Sequence, residues 1–169
     1  MGNKKYYNSP KTSLALQAMH LRKEYPESRC SLHCGELIWW GEIRPTPLSR
    51  TYKIRIECHE LQQRPRVILY GDHIEGIDRR GFPHHFEIDR EKNEVILCLH
   101  MPYEFDHRCW IADTIIPWTQ EWLYFYEIWL ATGEWCGGGH IPKAKQNKRY
   151  LGTDSVEGGL SEILGDQEV

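Results

Sequence analysis

Leu14, Ala18, Leu21 and Tyr25 recur at helical spacing among the polar positions Lys11, Gln17, Lys23 and Glu24, which predicts a helix over residues 9–25. Ser9-Pro10 offers an N-cap followed by proline at the first helical position, and Pro26 ends the segment. A short polar stretch with Cys30, His33 and Cys34 follows. From Glu36 to Ile43 β-branched and aromatic residues dominate, a strand that Pro45-Thr46-Pro47 breaks. Tyr52-Lys-Ile-Arg-Ile-Glu57 alternates apolar and polar, so Tyr52, Ile54 and Ile56 belong to one face of a half-buried strand. Arg66 to Tyr70 reads as a third short strand with Pro65 at its edge, and Gly71 to Phe82 as a loop. Segments 84–88 and 95–100 flank the polar turn Asp89–Glu94 as a hairpin. A long helix is expected over 112–132, with Ile115, Trp118 or Thr119, Trp122, Phe125 or Tyr126, and Trp129 on one face. Pro117 belongs in its first turn, because proline costs about 3 kcal/mol in a helix interior, and Gly133 is its C-cap.

The order is helix, antiparallel meander of three or four strands in sequence order, thiol-bearing loop, long helix. That pattern predicts an α+β fold with helices on one side of a sheet. The 169 residues suit one domain, and neither the 40% hydrophobic nor the 27% charged fraction fits wholesale disorder. Residues 143–169 are polar, first basic (Lys143, Lys145, Lys148, Arg149) and then rich in glycine and acids, so they are expected to form a flexible tail after a domain spanning 1–142. A net charge of −3 argues against a nucleic-acid partner. No apolar run approaches the ~20 residues of a membrane span, and the N-terminus lacks a signal-peptide core, so a cytoplasmic protein is expected.

Six cysteines without a repeated CxxC pair read as thiols rather than a disulfide framework. Cys30, His33 and Cys34 with Cys58-His59 have a spacing that zinc tolerates. However, adjacent residues of a strand point to opposite faces, so no metal is expected. Gly137-Gly138-Gly139-His140 lacks the Lys-Ser/Thr and βαβ setting of a phosphate loop, so no nucleotide cofactor is expected either.

Cys98 reads in two ways: a core thiol within Ile96-Leu97-Cys98-Leu99, or a nucleophile at a strand exit. The following loop, with Pro102, Tyr103, Glu104, Asp106 and His107, holds the polar groups that a thiolate site uses. In the second reading Cys98 is partly accessible at a groove rim, while Cys58 is a packing thiol. With Asp89–Glu94 as the turn, Ile88 pairs with Val95, Phe86 with Leu97, and His85 with Cys98. His85 is then placed to hold a thiolate or meet an oxyanion; a slip by one residue puts His84 there instead, and His100 is a local rival two residues on.

Val95-Ile-Leu-Cys98-Leu99, then Trp110, then Thr114-Ile-Ile-Pro-Trp118, resembles the active-site segment of ubiquitin-conjugating enzymes. Pro47, Tyr52-Lys-Ile-Arg-Ile and Arg64-Pro65-Arg66-Val67 resemble that fold's second and third strands. Trp118-Thr-Gln-Glu-Trp122-Leu123-Tyr-Phe-Tyr126-Glu127-Ile-Trp129 and Thr132-Gly133-Glu-Trp135-Cys-Gly137-Gly-Gly139-His140-Ile-Pro142 resemble a bacterial branch, the stand-alone conjugating-enzyme-like proteins encoded with CBASS anti-phage systems. The resemblance covers roughly residues 10 to 142. It departs at the His-Pro-Asn element, whose Asn is held to stabilise the oxyanion: here the order is Pro83-His84-His85. The gap from Cys98 to Trp110 is also longer than usual.

The resemblance implies a UBC-like fold and a catalytic Cys98 that takes the C-terminal carboxyl of a protein as a thioester. It implies a cyclic-GMP-AMP-synthase-like nucleotidyltransferase as donor and a lysine of a protein as acceptor, priming anti-phage signalling. An inert binding module of the same fold and a Cys-His hydrolase of a protein conjugate are the alternatives.

Overall fold

Ser13 opens the first helix, α1 (Leu14–Glu24), by accepting the Leu16 N–H on its hydroxyl oxygen at 3.3 Å. The helix ends as the Tyr25 N–H returns to the Leu21 carbonyl just ahead of Pro26. The computed structural model describes residues 12–60, 64–106 and 108–138. The expected cap at Ser9-Pro10, His107, Gly139-His140 and the polar tail from residue 143 lie outside the described residues.

Among the described residues six strands follow where three or four were expected: β1 (Arg29–His33), β2 (Glu36–Ile43), β3 (Tyr52–His59), β4 (Arg66–Tyr70), β5 (His85–Asp89) and β6 (Glu94–Leu97). β1 replaces the expected polar stretch. It is an edge strand with little buried surface, so its composition carries no strand signal. Its partner supplies one: Cys30 pairs with Trp39 and Leu32 with Leu37 across a two-residue turn. Cys34 and Gly35 both have positive φ, 48° and 73°, as a type I′ hairpin turn requires.

All neighbouring pairs are antiparallel, in the order β1-β2-β3-β4-β6-β5. The strands therefore do not run in sequence order: β6 pairs with β4, and β5 lies at the outer edge. The cause is the long connection 71–84, which leaves β4 and packs against the last helix, so that β5 arrives outside β6.

That helix, α2 (Ile115–Thr132), holds Pro117 in its first turn and stops at Gly133, whose φ of 79° is left-handed. Ile115, Ile116, Thr119, Trp122, Leu123, Tyr126 and Trp129 form its buried stripe. α2 joins the sheet through side chains. Tyr52 lies 5.9 Å from Tyr126, and Phe82 of the 71–84 connection sits 5.4–6.2 Å from Trp122, Tyr126 and Trp129. The inner face of the sheet (Leu37, Trp39, Ile54, Ile56, Val67, Leu69, Val95, Leu97) shares one buried cluster with both helices.

Among the described residues no helix covers the outer face. Arg55 bridges Glu57 and Glu94, and Arg66 reaches Glu57, so a ladder of ion pairs lies over that side of β3, β4 and β6. Ile68, which pairs with Arg55, is 1% exposed on this side.

Candidate active site

Cys98 follows β6 directly, and its position is fixed by the partner strand. The hairpin pairs Asp89 with Glu94, Ile88 with Val95 and Glu87 with Ile96, as expected, and then slips: His85 pairs with Leu97. Phe86 is the extra residue of a β-bulge, with its side chain 59% exposed. His85 is thus not opposite Cys98. Its Nδ1 lies 3.0 Å from the Phe82 carbonyl oxygen and its ring edge-on to Phe82, and it does not line the groove described next. The one-residue slip brings His84 to Cys98 instead: the Cys98 N–H donates to the His84 carbonyl at 2.9 Å. That carbonyl also accepts the indole N–H of buried Trp122 at 3.2 Å.

Cys98 is 6% exposed, more covered than a rim position, and stands outside the main core cluster. It lines an open groove of about 200 Å³ with His84 and His100. Trp118, Trp122, Phe125 and Trp135 make the apolar walls, Glu104 and Glu121 bring the charge, and Gly137-Gly138 completes the lining. Cys58, by contrast, is 5% exposed within the core, where burial pushes its thiol up to about 12.

Burial also raises the Cys98 thiol above its ordinary value, with the Arg64 guanidinium opposing. The resting group is therefore a thiol, and its nucleophilic form needs a base. His100 lines the same groove. Its Nδ1 lies 2.8 Å from the Met101 carbonyl oxygen, which can only accept, so Nδ1 carries the proton and Nε2 of the neutral ring holds the lone pair. Trp118 and Phe105 flank the ring at 5.2 and 5.7 Å. The Glu104 carboxylate accepts the Met101 N–H at 2.6 Å and so stiffens the same turn.

The loop after His100 is tied to α1. Gln17, 3% exposed, donates to the Cys109 carbonyl at 2.8 Å and accepts the Ile111 N–H at 2.9 Å. Asp106 engages Arg108, and Tyr103 is 80% exposed. Glu121, Trp122 and Trp135 join the groove, although the sequence marked Trp122 only for the helix face and the resemblance, and Trp135 only for the resemblance. The clustered indoles were the visible signal, and their convergence on His84 was not.

The groups considered for zinc do not converge on one point, although Cys30 packs against the core cluster that holds Cys58. Cys58 is in the core, Cys34 is exposed with its sulfur 3.7 Å from His33 Nε2, and His59 faces Glu36 at 3.2 Å. Among the described residues no group of three or more His, Cys, Asp or Glu is placed to hold a metal ion, and no helix is long and apolar enough to cross a membrane.

A comparison with curated proteins finds no match. A comparison with family models matches residues 17–143, three quarters of the 169-residue chain, to the Type II CBASS E2 protein. The match spans most of α1, the whole sheet, the Cys98 groove and α2, and the fold agrees with the ubiquitin-conjugating architecture. The chain belongs to the Type II CBASS E2 protein family, ubiquitin-conjugating-like proteins with a conjugation role in anti-phage defence.

Proposed function

We propose that Cys98 carries an acyl group as a thioester, taken from the C-terminal carboxyl of a cyclic-GMP-AMP-synthase-like nucleotidyltransferase and passed to a lysine. The observation that supports this reading best is the placement of Cys98: a covered thiol on an open groove that His100 also lines. His100 Nε2 takes the Sγ proton as sulfur attacks the carbonyl carbon of an activated donor, itself a thioester or an acyl adenylate. The new S–C bond forms, the donor's bond to its leaving group breaks, and His100 passes its proton to the departing group or to water, which leaves the ring neutral for the second half. In the second half the lysine nitrogen attacks the same carbon, Cys98 leaves as thiolate, and the amine's surplus proton passes to His100. His84 stands where the Asn of related enzymes is absent, and its ring meets the developing oxyanion.

The test is incubation with a C-terminal thioester of the nucleotidyltransferase, followed by intact mass. Wild type gains an adduct that reducing thiol removes, Cys98→Ser gains one that thiol does not remove, and Cys98→Ala gains none. Adduct loss in Cys109→Ala or Cys136→Ala with retention in Cys98→Ala refutes the assignment. Tight binding without adduct favours the inert module, and shortening of a preformed conjugate favours the hydrolase.

A further inference from the structure

His84 is held from two directions. Its carbonyl takes the Cys98 and Trp122 N–H groups, and its ring lies 4.9 Å from the indole of Trp135 with 30° between the planes. The residue needs holding, because its φ of 32° lies in the left-handed region that non-glycine residues rarely adopt. Trp135 is itself well fixed. It contacts Trp122 at 5.6 Å and Phe125 at 5.9 Å, and its indole N–H points to the Gly138 carbonyl at 3.5 Å. A Cβ on Gly137 would stand 2.8 Å from both Phe125 and Trp135, so glycine is what lets the segment after α2 lie this close. The Trp-x-Gly-Gly element thus sets one indole against one imidazole, the planes tilted by 30°.

We infer that Trp135 is a positioning residue for the chemistry at Cys98: it fixes the His84 imidazole at the groove wall. The inference rests on the thioester reading above. An imidazole flanked by an indole on one side still presents its edge, where both ring nitrogens lie. The π-face of tryptophan also favours positive charge on that ring as an oxyanion forms. The other ionisable groups on the groove are His100, Glu104, Glu121 and Cys98 itself; its remaining walls are neutral. Trp135 is only partly buried, at the edge of the core cluster, so its replacement spares the central packing.

The experiment is single-turnover acylation of the full chain by a peptide thioester, with melting temperatures measured alongside. Trp135→Leu is expected to lower the maximal rate about 10- to 100-fold, the scale of a small misplacement of a reacting group. Half-saturation should stay within about twofold, because a positioning role leaves binding intact. Trp135→Phe, which keeps an aromatic face, should recover most of the rate. Trp135→Leu should cause no further loss in a His84→Ala background, because the two act as one unit. Independent, multiplying losses, a wild-type rate for Trp135→Leu, an equal loss for Trp135→Phe, or a change confined to half-saturation each overturn the inference. If wild type takes no acyl group at all, the thioester reading fails. NMR order of the His84 side chain then decides the positioning claim, which fails if the ring stays in one rotamer in Trp135→Leu.

Discussion

Replacing Gln17 should loosen the loop that follows the thiol. Gln17→Leu keeps volume but leaves the Cys109 carbonyl and the Ile111 N–H without the partners they have at 2.8 and 2.9 Å. An orphaned buried polar group costs about 1–3 kcal/mol, and partial access to water lowers the sum, so the variant should lose about 2–4 kcal/mol. That is a large share of a typical stability of about 5–15 kcal/mol. Gln17→Glu makes the reasoning signed. Its carboxylate still accepts from Ile111, but its second oxygen meets the Cys109 carbonyl, acceptor against acceptor. Protonation turns that oxygen into a donor, so the folded-state pKa rises above the unfolded value of about 4.3. The restored stability is full below the unfolded value and is lost as pH rises through the folded one. Urea denaturation at about pH 4 and about pH 8, with hydrogen exchange at residues 109–112, reads both effects. A Gln17→Leu deficit under about 0.5 kcal/mol, or a Gln17→Glu deficit equal at the two pH values, refutes the argument.

Arg64→Ala should raise the titration midpoint of Cys98 further, because the guanidinium is the opposing influence; iodoacetamide alkylation against pH reads it, and an unmoved midpoint contradicts it. Gly41→Ala should destabilise by about 3 kcal/mol in denaturant titrations, because a Cβ would stand 2.2 Å from the ring of Trp39, which is 1% exposed and cannot retreat. Cys58 should make stability fall as pH rises above about 8.5, since the unfolded chain loses that proton while the folded one keeps it, with a slope of at most about 1.4 kcal/mol per pH unit. Cys58→Ala should flatten this dependence in chemical denaturation between about pH 9 and 10.5, and an unchanged slope argues against it.

The elements that bury a regular stripe were legible: β3 through Ile54 and Ile56, α2 through Ile115, Trp122 and Trp129, and the stops at Pro26 and Gly133. What escaped depends on partners far along the chain. β1 exists because β2 pairs with it, and β6 sits beside β4 because of the path of the 71–84 connection. Cys98 was singled out from its local setting, yet which histidine lies beside it turned on a single bulged residue, which hairpin pairing rules do not reveal. Gln17 reads as one more polar position on α1, since nothing nearby shows that residues 109 and 111 close over it.

The Phe86 bulge also bears on how copies of this chain meet one another. β5 is an outer strand, and such a strand offers unpaired backbone groups to any extended chain that lies flat along it. Phe86 adds an exposed aromatic ring to that border, the combination that invites aggregation. The extra residue bends the strand and breaks its regular rhythm within two residues of His84, so a second copy finds no long straight template. The irregularity that sets the histidine beside the thiol thereby also guards the solubility of the sheet, and a variant engineered to straighten the hairpin would lose both.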